Sequence, residues 1–307
     1  MVGAVPKPFY DLMALTVGLN NTTVFTLKRR DSTMRYKEVF KMTLGLAFSG
    51  LMATGAAAQS AATPAKPRVI KVATGGIAPY ADILQFALDH SDLKKDGIDV
   101  QVIAISDFVQ INPLTEQKQI DANFFQHFPF LDQSNHDNHT HLVPVVPVFT
   151  SVFGAYSRRY KNIKDLPDGS LIVFPNDPAN SGRSLALFAD YGLITLRPGA
   201  GIKATQADIA GNPHKYKFRE VDQLMLTRTL DDADLVAINA AYVLQLGMRP
   251  AKDALITEKV DRFPSGLVAR PDNKNDEAIQ KLAKALTTSQ VHEFMVQKFG
   301  DSVKPLF

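Results

Sequence analysis

Short apolar runs alternate with runs of helical periodicity over most of this chain, and this alternation is the feature that most constrains its fold. The candidate strands are rich in β-branched residues, are bounded by Gly, Pro, Asn or Asp, and cover residues 69–74, 100–105, 142–149, 171–175, 216–221 and 235–239. Helical patterns lie at residues 81–90, 184–192, 223–231 and 240–247, and two more, 277–287 and 289–300, end the chain. The alternation predicts an α/β protein with mostly parallel strands and helices on both faces.

Two further extended runs, residues 150–159 and 263–270, suggest that the chain crosses between two sheets. Two crossings would form a hinge, with a small-ligand cleft between the lobes. We therefore expect a first lobe at residues 68–150 and 265–307 and a second lobe at 151–264.

The N-terminal residues have the pattern of an export signal. Arg35, Lys37 and Lys41 precede an apolar run from Met42 to Met52, and small residues follow. The apolar run is too short for a membrane-spanning helix, so a cleaved signal peptide at residues 34–58 is the better interpretation. Residues 1–33 are then an upstream extension, and 59–67 are a flexible linker.

Charge and cysteine content narrow the function further. The chain has 34 basic and 31 acidic residues; removing the seven basic and three acidic residues of 1–58 leaves 27 and 28. The balance of the exported part therefore gives no indication of nucleic-acid binding. The sequence contains no cysteine, which argues against disulfides, thiolate catalysis and a lipid-carrying cysteine. We expect a periplasmic, freely diffusing monomer without cofactor or metal.

Enzyme and metal motifs are weak. Ser91–Lys94 fits S-x-x-K without its companion motifs, and Gly199–Ala204 fits G-x-G-x-x-A but precedes too short a helical pattern for a dinucleotide site. His136, His139 and His141, with His127 upstream, form an imidazole cluster that could hold a metal, but their Asn, Asp, Ser and Thr neighbours favour a solvated turn.

The segment NDPANSGRS (176–184) suggests an anion site. A strand ends at Pro175, and Asn180 or Ser181 is expected to cap a helix that begins near Gly182. Free backbone N–H groups at that helix start, with the planar donor of Arg183, would suit a carboxylate. The alternative is a surface arginine on an ordinary capped helix.

The segment DANFFQHFPF (121–130) is dense in aromatic residues. Phe124, Phe128 and Leu131 have the spacing of a buried helix face, which favours a core role. Phe125 and His127 lie off that pattern, and a neutral histidine can offer one hydrogen bond in a cleft. The run is therefore also a candidate wall for a ligand.

Several separated motifs together resemble the methionine-binding subunits of bacterial ABC importers, the NlpA lipoprotein family. They are DFVQIN (107–112), DANFFQHFPFLDQ (121–133), LPDGSLIVFPNDPANSGRSLALF (166–188), GLITLRPGAGIKAT (192–205), LDDADLVAIN (230–239) and KDAL (252–255). The resemblance runs from Val69 to Phe307. It implies the type II periplasmic binding protein fold, in which two α/β lobes joined by a two-strand hinge close over an amino acid and deliver it to a permease with a cytoplasmic ATPase.

The resemblance also implies residue roles. Arg183 would pair with the ligand carboxylate, Asn239 would bind the head group, and the side chain would lie among aromatic residues and a histidine. Those surrounding residues are Phe108, Phe124, Phe125 and His127, with Tyr80, Asn180 and Ser265 as further candidates.

Departures from the family pattern leave the ligand open. The family usually has tyrosine where this chain has Phe108 and Phe124, and Ser265 stands where a head-group asparagine is typical. The leading hypothesis is binding of L-methionine or a similar apolar amino acid. The alternatives are a protein of the same fold that binds a short peptide, another organic anion or a metal, and, least favoured, an enzyme.

Overall fold

The structure is a computed structural model, and it describes residues 66–259 and 262–307. The predicted upstream extension, the signal peptide and most of the linker lie outside the described residues. Within the described ranges, no helix combines the length and the apolar character needed to cross a membrane.

The strands lie where the β-branched runs predicted them, with additional short ones. Their bounds are β1 Arg68–Thr74, β2 Ile98–Ala104, β3 Ala122–Asn123, β4 Val143–Ser151, β5 Phe153–Tyr156, β6 Leu171–Pro175, β7 Thr195–Leu196, β8 Ile209–Gly211, β9 Lys217–Val221, β10 Leu235–Asn239, β11 Ala254–Thr257, β12 Pro264–Ala269 and β13 Val303–Pro305.

The helices are α1 Tyr80–Asp89, α2 Phe108–Glu116, α3 Phe128–Asn138, α4 Pro178–Asp190, α5 Leu226–Thr229, α6 Ala240–Val243, α7 Pro250–Asp253, α8 Glu277–Ala285 and α9 Ser289–Phe299. Several single 3₁₀ turns connect them, including Gly201–Lys203 and Gln206–Asp208, where the sequence predicted one short helix.

The strands form two main sheets, and each sheet mixes parallel and antiparallel pairs. The first has the order β13-β4-β12-β3-β1-β2, in which β1 is parallel to β2 and β3 while β12 is antiparallel to β3 and β4. The second has the order β11-β5-β10-β6-β9, with β6, β9 and β10 parallel and β5 antiparallel. The α/β class is confirmed, and the prediction of mostly parallel strands understated the antiparallel pairing.

The second sheet is buried on both faces, as the apolar strand sequences require. Alternate residues of one strand enter different cores: Ile172 and Phe174 join the cluster with Leu185, whereas Val173 joins the cluster with Ile238. Successive side chains in a strand point to opposite faces, so a continuous apolar run such as LIVFP is suited to a central strand.

The chain passes between the two sheets twice. Only Val152 separates β4 of the first sheet from β5 of the second, and the chain returns between Thr257 and Pro264. The first crossing, at Val152, therefore lies within the run at 150–159, whereas the second lies between Thr257 and Pro264, ahead of β12, so nearly all of the run at 263–270 already belongs to the first sheet. The exact lobe bounds given above stay a prediction.

Three helices were not predicted from the sequence: the four-residue α7, and the longer α2 and α3. Helix α2 has a proline, Pro113, inside it, and α3 is so polar that only Leu131 is buried. Each is begun by a side-chain cap, Asp107 accepting from the Val109 N–H and His127 accepting from the Phe130 N–H. The histidine-rich run was expected to be a mobile turn, but its first part belongs to α3, which ends at Asn138.

Candidate functional site

Loops at the carboxyl ends of parallel strands from both sheets surround one cavity. In the first sheet, β1 leads to Ile77 and Tyr80, and β3 leads to His127. In the second sheet, β6 leads to Asn180 and β10 ends at Asn239. Ligands of open α/β sheets bind outside the carboxyl ends of the strands, so this position fits a binding site.

The cavity measures about 50 Å³, which is room for a few water molecules or one small ligand. Its lining residues are Ile77, Tyr80, Phe108, Phe125, Gln126, His127, Phe130, Asn180, Gln223, Asn239, Ala241 and Tyr242.

One side of the cavity is aromatic. The Phe108 and Phe125 rings stack with centroids 6.1 Å apart, and Phe130 meets Phe125 edge to face at the same separation. Phe108 lies directly against Gly75, where a Cβ would come within 2.3 Å of its ring. The glycine therefore sets how deeply this ring sits, and the wall suits an apolar or thioether group.

His127 joins the two sides of the cavity. Its Nδ1 accepts the Phe130 backbone N–H at 3.0 Å, and its Nε2 lies 3.0 Å from Asn180 Oδ1. Because Nδ1 accepts, the neutral ring carries its proton on Nε2 and donates it to Asn180. Burial, with the Arg183 charge as the second cause, lowers the pKa of His127 to about 3.

Asn180 lies inside helix α4 instead of capping it. The cap is Asp177, whose Oδ1 accepts the Asn180 backbone N–H at 2.9 Å. The prediction that Asn180 or Ser181 caps a helix beginning near Gly182 is therefore wrong, because the helix begins four residues earlier at Pro178. The Asn180 amide also donates to Asp177, at 3.0 and 3.1 Å. Burial raises the pKa of the Asp177 carboxyl despite these hydrogen bonds.

Asn239 is oriented at the end of β10 by two donors. Its Oδ1 accepts the Ser151 hydroxyl at 2.6 Å and the Ala241 backbone N–H at 2.9 Å. With the oxygen so occupied, the Nδ2 group is the part of this amide that remains to donate to a ligand.

Arg183 is buried, with 1% of its surface exposed, and lies behind the cavity wall without lining it. Its Nε and Nη2 donate to the two carboxylate oxygens of Glu258, at 2.8 and 2.6 Å, and Nη2 also donates to the Ser151 carbonyl at 3.1 Å. The guanidinium stacks 4.0 Å from the centre of the Phe263 ring. The His127 ring lies 5.2 Å from the same Phe263 ring, so Arg183 and His127 contact one side chain in common.

The remaining candidates support the cavity from behind. Phe124 is fully buried and packs edge to face against Tyr80. The Tyr80 and Ser265 hydroxyls are 2.9 Å apart, and burial raises the pKa of Tyr80 to about 12. The structure thus brings six of the nine candidates to the cavity lining, namely Tyr80, Phe108, Phe125, His127, Asn180 and Asn239, and places Phe124, Arg183 and Ser265 outside it.

Six lining residues were missed: Ile77, Gln126, Phe130, Gln223, Ala241 and Tyr242. Ile77, Gln223 and Tyr242 each follow the carboxyl end of a parallel strand, so the convergence of those ends was an available signal. Gln126 had no such signal, because a buried amide network holds it: it exchanges hydrogen bonds with Asn112 at 2.7 and 2.8 Å and donates to Asn123 at 2.8 Å.

Two of the clustered histidines have carboxylate partners. His141 pairs with Glu116 and His136 with Asp137. In the part of the chain that the structure describes, no group of three or more His, Asp or Glu is arranged to hold a metal ion.

The family model described as NlpA lipoprotein matches residues 70–307. The chain is 40% identical over 215 residues to the D-methionine-binding lipoprotein MetQ of Salmonella typhimurium, which covers 69% of this chain and 79% of the relative.

Solved structures share the fold. A nutrient binding protein from Burkholderia cenocepacia bound to methionine is 35% identical, has a TM-score of 0.74 and matches 78% of this chain and all of that one, at 100%. The methionine binding protein MetQ is also 35% identical, with a TM-score of 0.73 over 78% of this chain and 98% of that one.

The prediction of a freely diffusing protein without a lipid anchor is contradicted by these comparisons. The matching family model is a lipoprotein model, and the Salmonella relative is named a lipoprotein. The prediction rested on the absence of cysteine from the sequence, and an absent residue type does not determine how a protein is held at a membrane.

Proposed function

Because this chain belongs to the NlpA lipoprotein family, we propose that it is the substrate-binding subunit of an ABC importer and that it binds methionine, or an amino acid with a similar apolar side chain, in the cavity described above. The proposal rests on one observation above all: the cavity has an aromatic side from the first sheet and an amide-rich side from the second. A free amino acid with an apolar side chain has the same division. Of the solved structures that share the fold, one is described as bound to methionine and another as a methionine binding protein.

The ligand's side chain would lie among Phe108, Phe125 and Phe130. A thioether sulfur gains ~0.3 to 1.5 kcal/mol from each aromatic contact, which favours methionine over an aliphatic side chain of similar length. The head group would then face Asn180, Gln223 and Asn239 on the opposite side.

Arg183 would supply the positive charge for the ligand carboxylate. Its Nε and Nη2 are engaged by Glu258 and Ser151, and Nη1 has no hydrogen-bond partner among the described residues. A ligand oxygen reaching Nη1 through a small shift of the wall would add to the Glu258 pair without breaking it. Glu258 thus fixes the guanidinium while Arg183 attracts the ligand.

Residues 68–150 with 265–307 would form one lobe and 151–264 the other, hinged at the two crossings. The His127–Asn180 hydrogen bond joins side chains from the two sets, and so it would form on closure over the ligand. The closed protein would deliver its ligand to a membrane permease driven by an ATPase. Family membership gives the chain a role in binding for transport, and binding without turnover is the expected behaviour.

The test begins with the ligand that the protein itself retains. The purified protein would be unfolded, dialysed and refolded, and the released small molecules identified by mass spectrometry. The stripped protein would then be titrated calorimetrically with the twenty amino acids and with D-methionine. Methionine binding at least about tenfold tighter than leucine or phenylalanine would support the proposal. Release of a peptide, a metal or another organic anion, with no response to methionine, would favour the alternative ligand class.

A further inference from the structure

The amide side chains of the cavity have two opposite orientations of their oxygen and nitrogen atoms, and a charged residue causes the difference. Asn239 directs its oxygen toward Ser151 and Ala241, which leaves N–H donors for the cavity. Asn180 and Gln223 do the reverse, because each directs its N–H group toward Asp177. The cavity therefore has a donor end at Asn239 and an acceptor end at Asn180 and Gln223.

Asp177 causes the reversal at the acceptor end. It accepts from Asn180 Nδ2 at 3.0 and 3.1 Å and from Gln223 Nε2 at 3.1 Å. A carboxylate accepts only, so both amides must offer it their nitrogens and keep their oxygens for the other side. Asn180 Oδ1 receives the His127 proton, and Gln223 Oε1 is the acceptor that remains for a ligand.

The charge of Asp177 is also uncompensated locally. Arg183 is matched by Glu258 at 2.6 Å, whereas the partners of Asp177 in the described ranges are amides and backbone N–H groups, with no cationic side chain in an ion pair with it. Burial raises the pKa of its carboxyl. Burial is the main cause of the raised pKa of the Tyr242 phenol in the cavity lining, and the charges of Tyr80 and Asp177 add to it. A ligand cation near this end would supply the missing charge.

We propose that Asp177 is the residue that selects for a free α-ammonium group on the ligand, acting as a positioning residue that turns the oxygens of Asn180 and Gln223 toward the cavity and adds a negative charge behind them. The proposal deepens the proposed function and rests on it. It divides the head group between two ends of the cavity: carboxylate at Asn239 and Arg183, ammonium at Gln223 and Asn180. Ligands with an acylated or missing amine are then excluded by chemistry and not by size.

The test compares ligands with and without the amine. L-Methionine, 4-(methylthio)butanoate, which lacks the amine, and N-acetyl-L-methionine would be titrated into stripped wild-type protein and into Asp177→Asn. We expect wild type to prefer methionine over 4-(methylthio)butanoate by about tenfold or more, as for a charge-assisted contact. In Asp177→Asn that preference should fall to within about threefold, because methionine loses affinity while the amine-free acid does not.

Controls separate selection from folding. Asp276→Asn removes the charge of another helix-capping aspartate, at α8, which contributes no residue to the cavity lining, and it should keep the full preference. Asp177→Glu keeps the negative charge and should retain most of the preference for methionine over 4-(methylthio)butanoate. Should Asp177→Asn fail to fold, Gln223→Met, which removes the acceptor from a partly exposed side chain, is expected to lower the same preference.

Two results would overturn the assignment: an unchanged preference in Asp177→Asn, or equal weakening of methionine and the amine-free acid. If wild type binds no methionine, the proposed function fails first. The ligand recovered from the protein then decides about Asp177, since a ligand without an ammonium group would contradict its role.

Discussion

Arg183 is a buried guanidinium that already has a carboxylate partner, and in the proposed function it also contacts the ligand carboxylate. The sequence predicted a charge at a helix start. The structure instead has the helix begin at Pro178, which places Arg183 in the second turn and directs it to Glu258. The error came from the segment itself, because Asp177, Asn180 and Ser181 are all good caps and only the tertiary position of Asp177 decides between them.

Replacing Arg183 by alanine should weaken both binding and stability. It leaves the Glu258 carboxylate, whose side chain is 9% exposed, without its partner, which lowers the free energy of unfolding by about 3 to 5 kcal/mol. Thermal unfolding and calorimetric titration of methionine measure the two effects. Glu258→Gln is the matched variant, because it removes the carboxylate charge and keeps the Arg183 cation. Where it is folded, it should bind methionine at least as tightly as wild type does. A loss of affinity as large as that of Arg183→Ala would contradict the proposed ligand contact.

From the lowered pKa of His127 we expect ligand binding to weaken at acid pH. Its pKa in the packed site is about 3, against an ordinary value of 6.5. Between pH 3 and 6.5, His127 therefore binds a proton in the open or unfolded state but not in the packed site. The packed site has its full stability above pH 6.5, and this stability decreases as the pH falls. We expect a loss of up to about 1.4 kcal/mol for each pH unit below 6.5.

Calorimetry across this pH range, repeated on His127→Asn, measures the effect. Asparagine also caps helices, so α3 should persist while the titration is removed. The raised pKa of Asp177 acts with the opposite sign, because its contribution grows as the pH falls, and the difference between the two proteins isolates His127. Equal pH profiles for both proteins would contradict the role of this ring.

At the scale of elements, the strands were predictable and the cavity helices were not. Runs such as LIVFP and LVAIN carry a strand signal of their own, since both faces are buried and both ends are marked by turn residues. Helix α2 contains Pro113, and the apolar residues of α3 are confined to its first turn, Phe128–Leu131, so neither helix has apolar periodicity along its whole length. Their starts depend on local caps from Asp107 and His127. Their packing depends on a buried amide network around Asn112, which forms only when α2, β3 and the segment before α3 meet.

Helix α4 packs closely against a 3₁₀ turn at Gly182. A Cβ on Gly182 would lie 2.2 Å from the Ile202 carbonyl oxygen in the 3₁₀ turn Gly201–Lys203. Glycine to alanine inside a helix normally stabilises by about 1 kcal/mol, but here the clash with backbone should outweigh that gain. We expect Gly182→Ala to lower the free energy of unfolding by about 1 to 3 kcal/mol in urea titrations. Ser181→Ala, one residue earlier, should change it little, and a stabilised Gly182→Ala would show that the turn yields.

At the scale of the whole molecule, the proposed hinge predicts that the ligand brings the two sides of the cavity together. Val109 and Leu224 are exposed neighbours of the lining residues Phe108 and Gln223, one on each side. Because the chain has no cysteine of its own, Val109→Cys with Leu224→Cys gives two unique positions for spin labels. Dipolar spectroscopy should show a shorter and narrower distance distribution with methionine than without it. Identical distributions in both states would argue that the cavity fills without closure.

The single residue between β4 and β5 limits what such a movement can be. One residue spans at most about 3.6 Å, so at Val152 the end of β4 and the start of β5, each an inner strand of its own sheet, stay close together. For the proposed hinge, this link excludes translation of one half away from the other at that point and leaves rotation about Val152. In the proposed opening movement, the gap between the two halves would be smallest at Val152 and widest at the positions farthest from it.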